Sequence, residues 1–232
     1  MTFDPRSAAI VHLAWERALG LDDGVLAAAD GRRVCHAVED ARSVTFVRLW
    51  GQSALVGPPA VLAAAASLED ADLTDHATLL ALTRGLGGTG LGTSSIYVAD
   101  DLPLLQPAAE ITVSHGNPEA VELESLCPPD DANEVHLSAL EHKFTVMVDG
   151  GPAACGAYTE WGGFLAALGV LVAPPWRHQG LGLLAASIAA HEALAAGLVL
   201  QWRADMSNTA ANALARSLGL SWAGTQTSVR LG

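Results

Sequence analysis

The sequence predicts a mixed α/β protein, and three features carry that expectation. Strand-like and helix-like patterns alternate along the whole chain. An apolar strand pattern over residues 164–172 leads through a short proline- and glycine-containing segment into an apolar helical pattern over 180–196. Residues 101–107, with Pro103 and Pro107, mark a break in the middle of the chain. Two domains are therefore expected: a smaller α/β domain over 1–107 and a second domain over 108–232.

In the N-terminal part, residues 10–19 have helical spacing and Gly20 is placed to end that helix. Residues 33–38 and 44–49 read as strands separated by a polar turn at Glu39 and Asp40. A short apolar run at 53–56 precedes Gly57-Pro58-Pro59. Proline opens a helix well, because its missing N–H would be unpaired in the first turn anyway. Residues 75–83 read as a second helix and 96–98 as a last strand. Between these two, Gly85-Leu86-Gly87-Gly88-Thr89-Gly90 matches GxGxxG in form. It follows a helix rather than a strand, so it reads as a flexible loop and not as a dinucleotide site.

In the C-terminal part, residues 110–114 read as a strand, and 118–126 and 132–140 as helices split by Pro128-Pro129. Strands at 144–148 and 153–159 are joined by Asp149-Gly150-Gly151, a strong hairpin signal. After the apolar strand and helix, Gly197 marks the helix end. Residues 198–204 then read as a strand, 209–218 as a helix closed by Gly219, and 222–230 as a final strand of alternating polarity.

Half of the 232 residues are hydrophobic and the formal net charge is −13. Both parts are acidic, with 7 Arg against 13 acidic residues in 1–107 and 5 Lys and Arg against 12 in 108–232. Without a basic stripe, the electrostatic term that drives nucleic-acid binding is missing. An acidic surface keeps a protein soluble, and the same field favours a cationic partner such as an amine. Cys35, Cys127 and Cys155 build neither a zinc pattern nor a disulfide framework, and the histidines form no HxxxH or HExxH spacing, so no metal is expected. The N-terminus lacks a secretory pattern, and no apolar run reaches the roughly 18 residues of a membrane span. A cytoplasmic protein without a membrane partner is the expectation; a monomer and a homodimer stay equally open.

The chemistry concentrates in Val172-Ala173-Pro174-Pro175-Trp176-Arg177-His178-Gln179-Gly180-Leu181-Gly182. A strand stops at proline, a short loop follows, and a helix begins whose first-turn N–H groups have no internal partners. Gly180 and Gly182 leave the backbone bare, and the N–H groups and helix dipole favour an anion there. Arg177, alone between Arg84 and Arg203, adds a positive charge suited to phosphate oxygens.

This segment resembles the coenzyme-A-binding motif of the GNAT N-acetyltransferase superfamily, V-x-P-x-x-R-x-x-G-x-G, with Val172, Pro174, Arg177, Gly180 and Gly182 in register. Asn208-Thr209-Ala210-Ala211 followed by Leu218-Gly219-Leu220 is similar to the family's N-x-x-A…L-G-F segment, with Leu220 in place of phenylalanine. The resemblance covers about residues 108–232. It implies a GNAT-like mixed, mostly antiparallel sheet, splayed between the strands ending near Val172 and Ala204 and flanked by helices. It makes the N-terminal domain an accessory one, conceivable as a degenerate copy of the same fold. The resemblance further implies acetyl-CoA as co-substrate. Its pantetheine arm would run along Val170, Leu171 and Val172. Its pyrophosphate would rest on the N–H groups of His178, Gln179, Gly180, Leu181, Gly182 and Leu183, and Asn208 would contact the pantetheine side. A backbone N–H near Val170 would polarise the thioester carbonyl.

The implied activity is acyl transfer to an amine, on a small molecule or a peptide, by direct attack in a ternary complex. Many family members supply the leaving thiolate's proton from a tyrosine seven residues after the asparagine, and here that position is Ala215. The nearest candidate base is Glu160, which reads equally as a surface carboxylate beside Trp161. A non-catalytic acyl-CoA-binding or sensing protein therefore stays open beside the enzyme. Trp202 and Arg203 alternate on the strand at the implied wedge, where either could line an acceptor pocket or Trp202 could pack in the core.

Overall fold

The computed structural model describes residues 4–105 and 111–232. The expected strand residue Glu110 and the expected boundary residue Pro107 lie outside them. Contacts divide the chain into two compact units. The first holds the described residues up to Ser7, Val98–Trp202 and Ala213–Ser221, and the second holds Ala8–Tyr97, with most of the first helix, Arg203–Asn212 and Trp222–Gly232.

The second unit contains helices α1 (Pro5–Ala18) and α2 (Val25–Ala28), strands β1 (Val34–Ala37), β2 (Ser43–Leu49) and β3 (Gln52–Gly57), helices α3 (Pro59–Ala65), α4 (Asp70–Thr74) and α5 (His76–Leu82), and most of strand β4 (Thr89–Ala99). Strand β2 pairs antiparallel with β3 and with the last strand of the chain, β10 (Ser221–Arg230), while β1 lies parallel to β3. Phe46, Leu55, Leu73, Leu79 and Val229 fill a core between the strands and helices α3 to α5. The β2–β3 turn, Trp50-Gly51, has φ of 46° and 95°. Two positive values in a two-residue loop match the right-handed strand twist. Glu16, only 1% exposed, accepts hydrogen bonds from the N–H groups of Gly24 (2.7 Å) and Leu26 (2.8 Å), so a buried carboxylate ties α1 to the start of α2.

The first unit contains β5 (Thr112–Ser114), α6 (Asn117–Leu126), α7 (Pro129–Val135), β6 (His142–Val148), β7 (Gly151–Trp161), β8 (Leu165–Val172) and α8 (Leu181–Ala195), with most of β9 (Val199–Asp205) and of α9 (Thr209–Leu218). Strands β5 to β8 pair antiparallel in order, and β9 pairs parallel with β8. The β6–β7 hairpin turns at Asp149 and Gly150, with φ of 50° and 81°. Side chains alternate across the sheet. Cys155, Ala157 and Leu171 face α6 with Ala120 and Leu123, whereas Val146, Ala154 and Val172 face α8 with Ala185 and Leu181. Helix α8 buries five alanines and Ser187. Gly156 lets it approach β7, because a Cβ there would stand 2.0 Å from the Ala185 carbonyl oxygen.

The expected mixed α/β architecture with mostly antiparallel open pairing and flanking helices is the observed one. Several elements differ in extent. The helix expected over 75–83 is α5, capped by the Asp75 carboxylate, which accepts from the N–H groups of Ala77 and Thr78, and an additional short helix, α4, precedes it. The helix expected over 132–140 begins earlier, at Pro129, and stops at Val135. His136 takes a left-handed conformation there, φ 49°, and a short 3-10 turn follows. The strand expected at 96–98 is the end of an eleven-residue strand. Its first half includes Gly90 and Gly92, so the glycine-rich stretch runs from a 3-10 turn into a strand instead of a loop. Among the described residues no helix is long and apolar enough to cross a membrane, and no group of three or more His, Cys, Asp or Glu could hold a metal ion.

Candidate functional site

Strand β8 carries the first part of the site. The Ala173 N–H donates to the Ala153 carbonyl at 2.9 Å, so in the register Ala154↔Val172 and Gly156↔Val170 the odd-numbered residues of β8 face β7. Val170 and Val172 turn their backbone groups to the opposite edge. Pairing with β9 covers only Leu165 to Leu168. The last four residues of β8 therefore extend past the paired rungs. At the two residues whose backbone the sequence assigns to a pantetheine arm, this edge has no strand pairing with β9, and the Val172 carbonyl is taken instead by side chains, those of Cys127 and Arg177. Leu171 is different: its backbone faces β7, and its side chain is buried against α6.

After β8, Pro174–Trp176 form a 3-10 turn. His178 and Gly180 then adopt left-handed backbone, φ 61° and 80°, before α8 begins at Leu181. No side chain caps this helix. The first bond across its start is Leu184 N–H to the Gly180 carbonyl, 3.1 Å, and among the described residues the N–H groups of 178–183 make no backbone bond to neighbouring loops or strands. Unpaired first-turn N–H groups at a helix N-terminus favour an anion. His178, Gln179 and Gly180 are exposed. The two glycines serve different ends. Gly180 supplies the left-handed turn, with open space where a Cβ would stand. At Gly182 a Cβ would lie 3.0 Å from Val172 Cγ2, so bare backbone there seats the first turn of α8 against β8.

Arg177 is placed otherwise than a phosphate clamp. Its Nε donates to the Val172 carbonyl at 3.2 Å, and its Nη2 pairs with Asp131 of α7 at 2.7 Å. The buried Cys127 thiol donates to the same carbonyl at 3.6 Å, and burial pushes that thiol above its ordinary range, so it stays protonated. Arg177 thus locks the loop to the end of β8, with its guanidinium half exposed at 37%. Asp131 lies 46 residues from its partner, and no local pattern could have announced it.

Asn208 belongs to the second unit, where its side chain accepts from the Ala211 N–H at 3.0 Å and caps α9. Glu160 is exposed at the end of β7 and is paired with Ala166. That is four rungs from the Gly156–Val170 level, about 13 Å at ~3.3 Å per residue. Ala215 is fully buried on α9, and a buried methyl group moves no proton. Trp202 is buried as well, at the last β8–β9 rung.

The end of β8 thus runs past its pairing with β9 into an uncapped, glycine-bearing helix N-terminus. The acetyltransferase (GNAT) family matches residues 109–220, so this stretch is a GNAT-family domain. No curated protein matches the sequence. Among solved structures, a GNAT-family protein from Novosphingobium aromaticivorans is similar at 22% identity and TM-score 0.50, over 63% of this chain and 68% of that one. A Drosophila protein is similar at 19% identity and TM-score 0.50, over 66% of this chain and 55% of that one. A GCN5-related N-acetyltransferase from Kribbella flavida is similar at 19% identity and TM-score 0.49, over 65% and 62%. The chain thus aligns with between about half and two thirds of the length of these structures. At such identities the likeness is one of fold.

Proposed function

We propose that the protein is an acyl-CoA-dependent N-acyltransferase that transfers an acetyl group from acetyl-CoA to an amine. The observation that carries this reading is the anion receptor at residues 178–183 beside the end of β8 that has no pairing with β9, inside the segment that matches the GNAT family. The pyrophosphate of the co-substrate suits the unpaired N–H groups. Its pantetheine amides suit the backbone groups of Val170 and the Val172 N–H, along which the arm would lie as one more strand. In the reaction a neutral amine attacks the thioester carbonyl carbon, the C–S bond breaks, and the thiolate leaves and takes up a proton while the amine nitrogen loses one. The Val170 N–H is the group of this chain set to stabilise the oxyanion. With alanine at 215, the thiolate's proton comes from water. A thiol with a pKa near ~8.5 leaves readily enough for that. Glu160 reaches an amine at the level of Val170 only through water, so holding amine and thioester together supplies most of the rate.

The test is direct. Acetyl-CoA at about 100 times its Kd should stabilise the fold by about 2.7 kcal/mol, or roughly 5–10 °C in Tm for a chain of this size. The Arg177→Ala, Gly180→Glu variant should lose binding in calorimetry while keeping a cooperative melt. Retained affinity in that variant would show that the phosphate receptor lies elsewhere. No Tm shift at millimolar acetyl-CoA would end the reading altogether. Thiol release with an amine panel then separates an enzyme from a mere binder.

A further inference from the structure

The stretch of β8 that β9 leaves unpaired has a closed end. Strand β9 pairs with β8 over Leu165 to Leu168, and the last rung joins Leu168 to Trp202, both in the first unit. Exposure along β8 changes at the same level. Leu165 and Ala166 are buried, whereas Ala167, Leu168, Gly169 and Val170 are each half-buried. The uncovered part of β8 therefore begins where its pairing with β9 ends, and Trp202 stands at its foot.

Side chains on one rung share a face of the sheet, and alternate residues of a strand share it too. Trp202 thus lies on the face of Leu168, Val170 and Val172, the face on which Val172 packs against α8. The ring is only 4% exposed. Its indole N–H is buried and has no hydrogen-bond partner, so packing alone holds it in place. It makes a wall of fixed size across the end of the strand edge.

An acyl-CoA seated on this edge has a fixed direction. With its pyrophosphate at residues 178–183, the arm runs from Val172 toward Val170, and the acyl end points to Leu168 and Trp202. Val170 and Leu168 are two residues apart, roughly 6.6 Å at ~3.3 Å per residue. Carbon atoms in contact stand about 3.5–4 Å apart. About 3 Å is then left beyond a thioester carbonyl held at Val170, room for one or two carbons at about 1.5 Å per bond. We propose that Trp202 selects the acyl group, its ring closing the path to chains longer than acetyl or propionyl. The inference rests on the acyl-transfer reading and adds to it the residue that sets donor specificity.

The experiment titrates the full chain by calorimetry with coenzyme A and with its acetyl, propionyl, butanoyl and octanoyl thioesters. In the parent, octanoyl-CoA should bind at least about tenfold more weakly than acetyl-CoA, as expected for a chain too long for its pocket. Trp202→Leu and Trp202→Ala should each bring those two Kd values within about threefold of one another. Neither change strands an acceptor, because the indole N–H has none. The Kd for coenzyme A, which carries no acyl group, should stay the same in both variants, whereas a merely structural role would shift every Kd together. Octanoyl-CoA binding to the parent as tightly as acetyl-CoA, or an unchanged ratio of the two in the variants, would overturn the proposal. The parent series alone decides the matter if neither variant folds. Acetyl-CoA binding without discrimination by chain length ends only this inference; no binding of any of the five ligands ends the acyl-transfer reading and this inference with it.

Discussion

Replacing Gly156 by alanine should be among the most damaging single-methyl additions in the first unit. The new Cβ would stand 2.0 Å from the Ala185 carbonyl oxygen, 2.5 Å from its carbon and 3.0 Å from the Ala186 nitrogen. An ordinary carbon–oxygen contact is about 3.3 Å, so helix α8 and strand β7 must separate by more than about 1 Å. Overpacking by one methyl typically costs about 1–3 kcal/mol. The opposing atoms here are helix backbone and cannot turn away as a side chain could, so about 3 kcal/mol is expected. At about 2–4 °C per kcal/mol for a chain of this size, Tm should fall by roughly 6–12 °C. Denaturant unfolding with an unchanged m-value would assign the loss to the native state. Because α8 carries the proposed anion receptor at its N-terminus, acetyl-CoA binding should weaken in the same variant. A Tm within about 2 °C of the parent would refute the claim that Gly156 sets the helix–sheet spacing.

Asp131→Asn removes a half-exposed ion pair worth at most about 1 kcal/mol, so Tm should barely move. The Arg177 guanidinium then loses its competitor, and acetyl-CoA should bind roughly threefold tighter by calorimetry; weaker binding would mean that the pair holds the loop for the ligand. Glu16→Ala strands the buried N–H groups of Gly24 and Leu26 and should lower stability by about 2–4 kcal/mol in urea unfolding, with Glu16→Gln less harmful because one acceptor remains. His12 has its imidazole held below its ordinary value of 6.5, chiefly by burial, while a hydrogen bond with the Leu49 backbone and the charge of Glu16 pull the other way. The unfolded chain then takes up the proton first, so the stability present above about pH 6.5 is lost as pH falls below it. His12→Gln should flatten that loss in melts between about pH 7 and 5; parallel curves would show that other groups dominate.

The binary pattern made most of the fold legible. The run 164–172 and the Ala-rich helix after it are readable because a strand buried on both faces and a helix buried by small residues leave long apolar stretches. The hairpin at Asp149-Gly150 is readable because only a few residues tolerate its backbone. Element extents were less legible. The start of β4 is glycine and threonine, a composition that looks like a loop. It is a strand because its partners are distant in sequence, and the space its glycines leave is taken by His76 and Asp205. The break of α7 at His136 likewise has no local breaker.

The sequence by itself determined the helix N-terminus proposed to hold the co-substrate. A helix N-terminus with unpaired N–H groups is a local object, built by Pro174, Gly180 and the helix that follows. What Arg177 does was decided by tertiary structure alone. Its charge is matched by Asp131, 46 residues away, because α7 packs against the face of β8 that Gly169 leaves bare, where a Cβ would stand 2.9 Å from Val135 and Leu140. Backbone hydrogen-bonding capacity follows from local sequence, whereas the partner of a charge depends on which surfaces pack together.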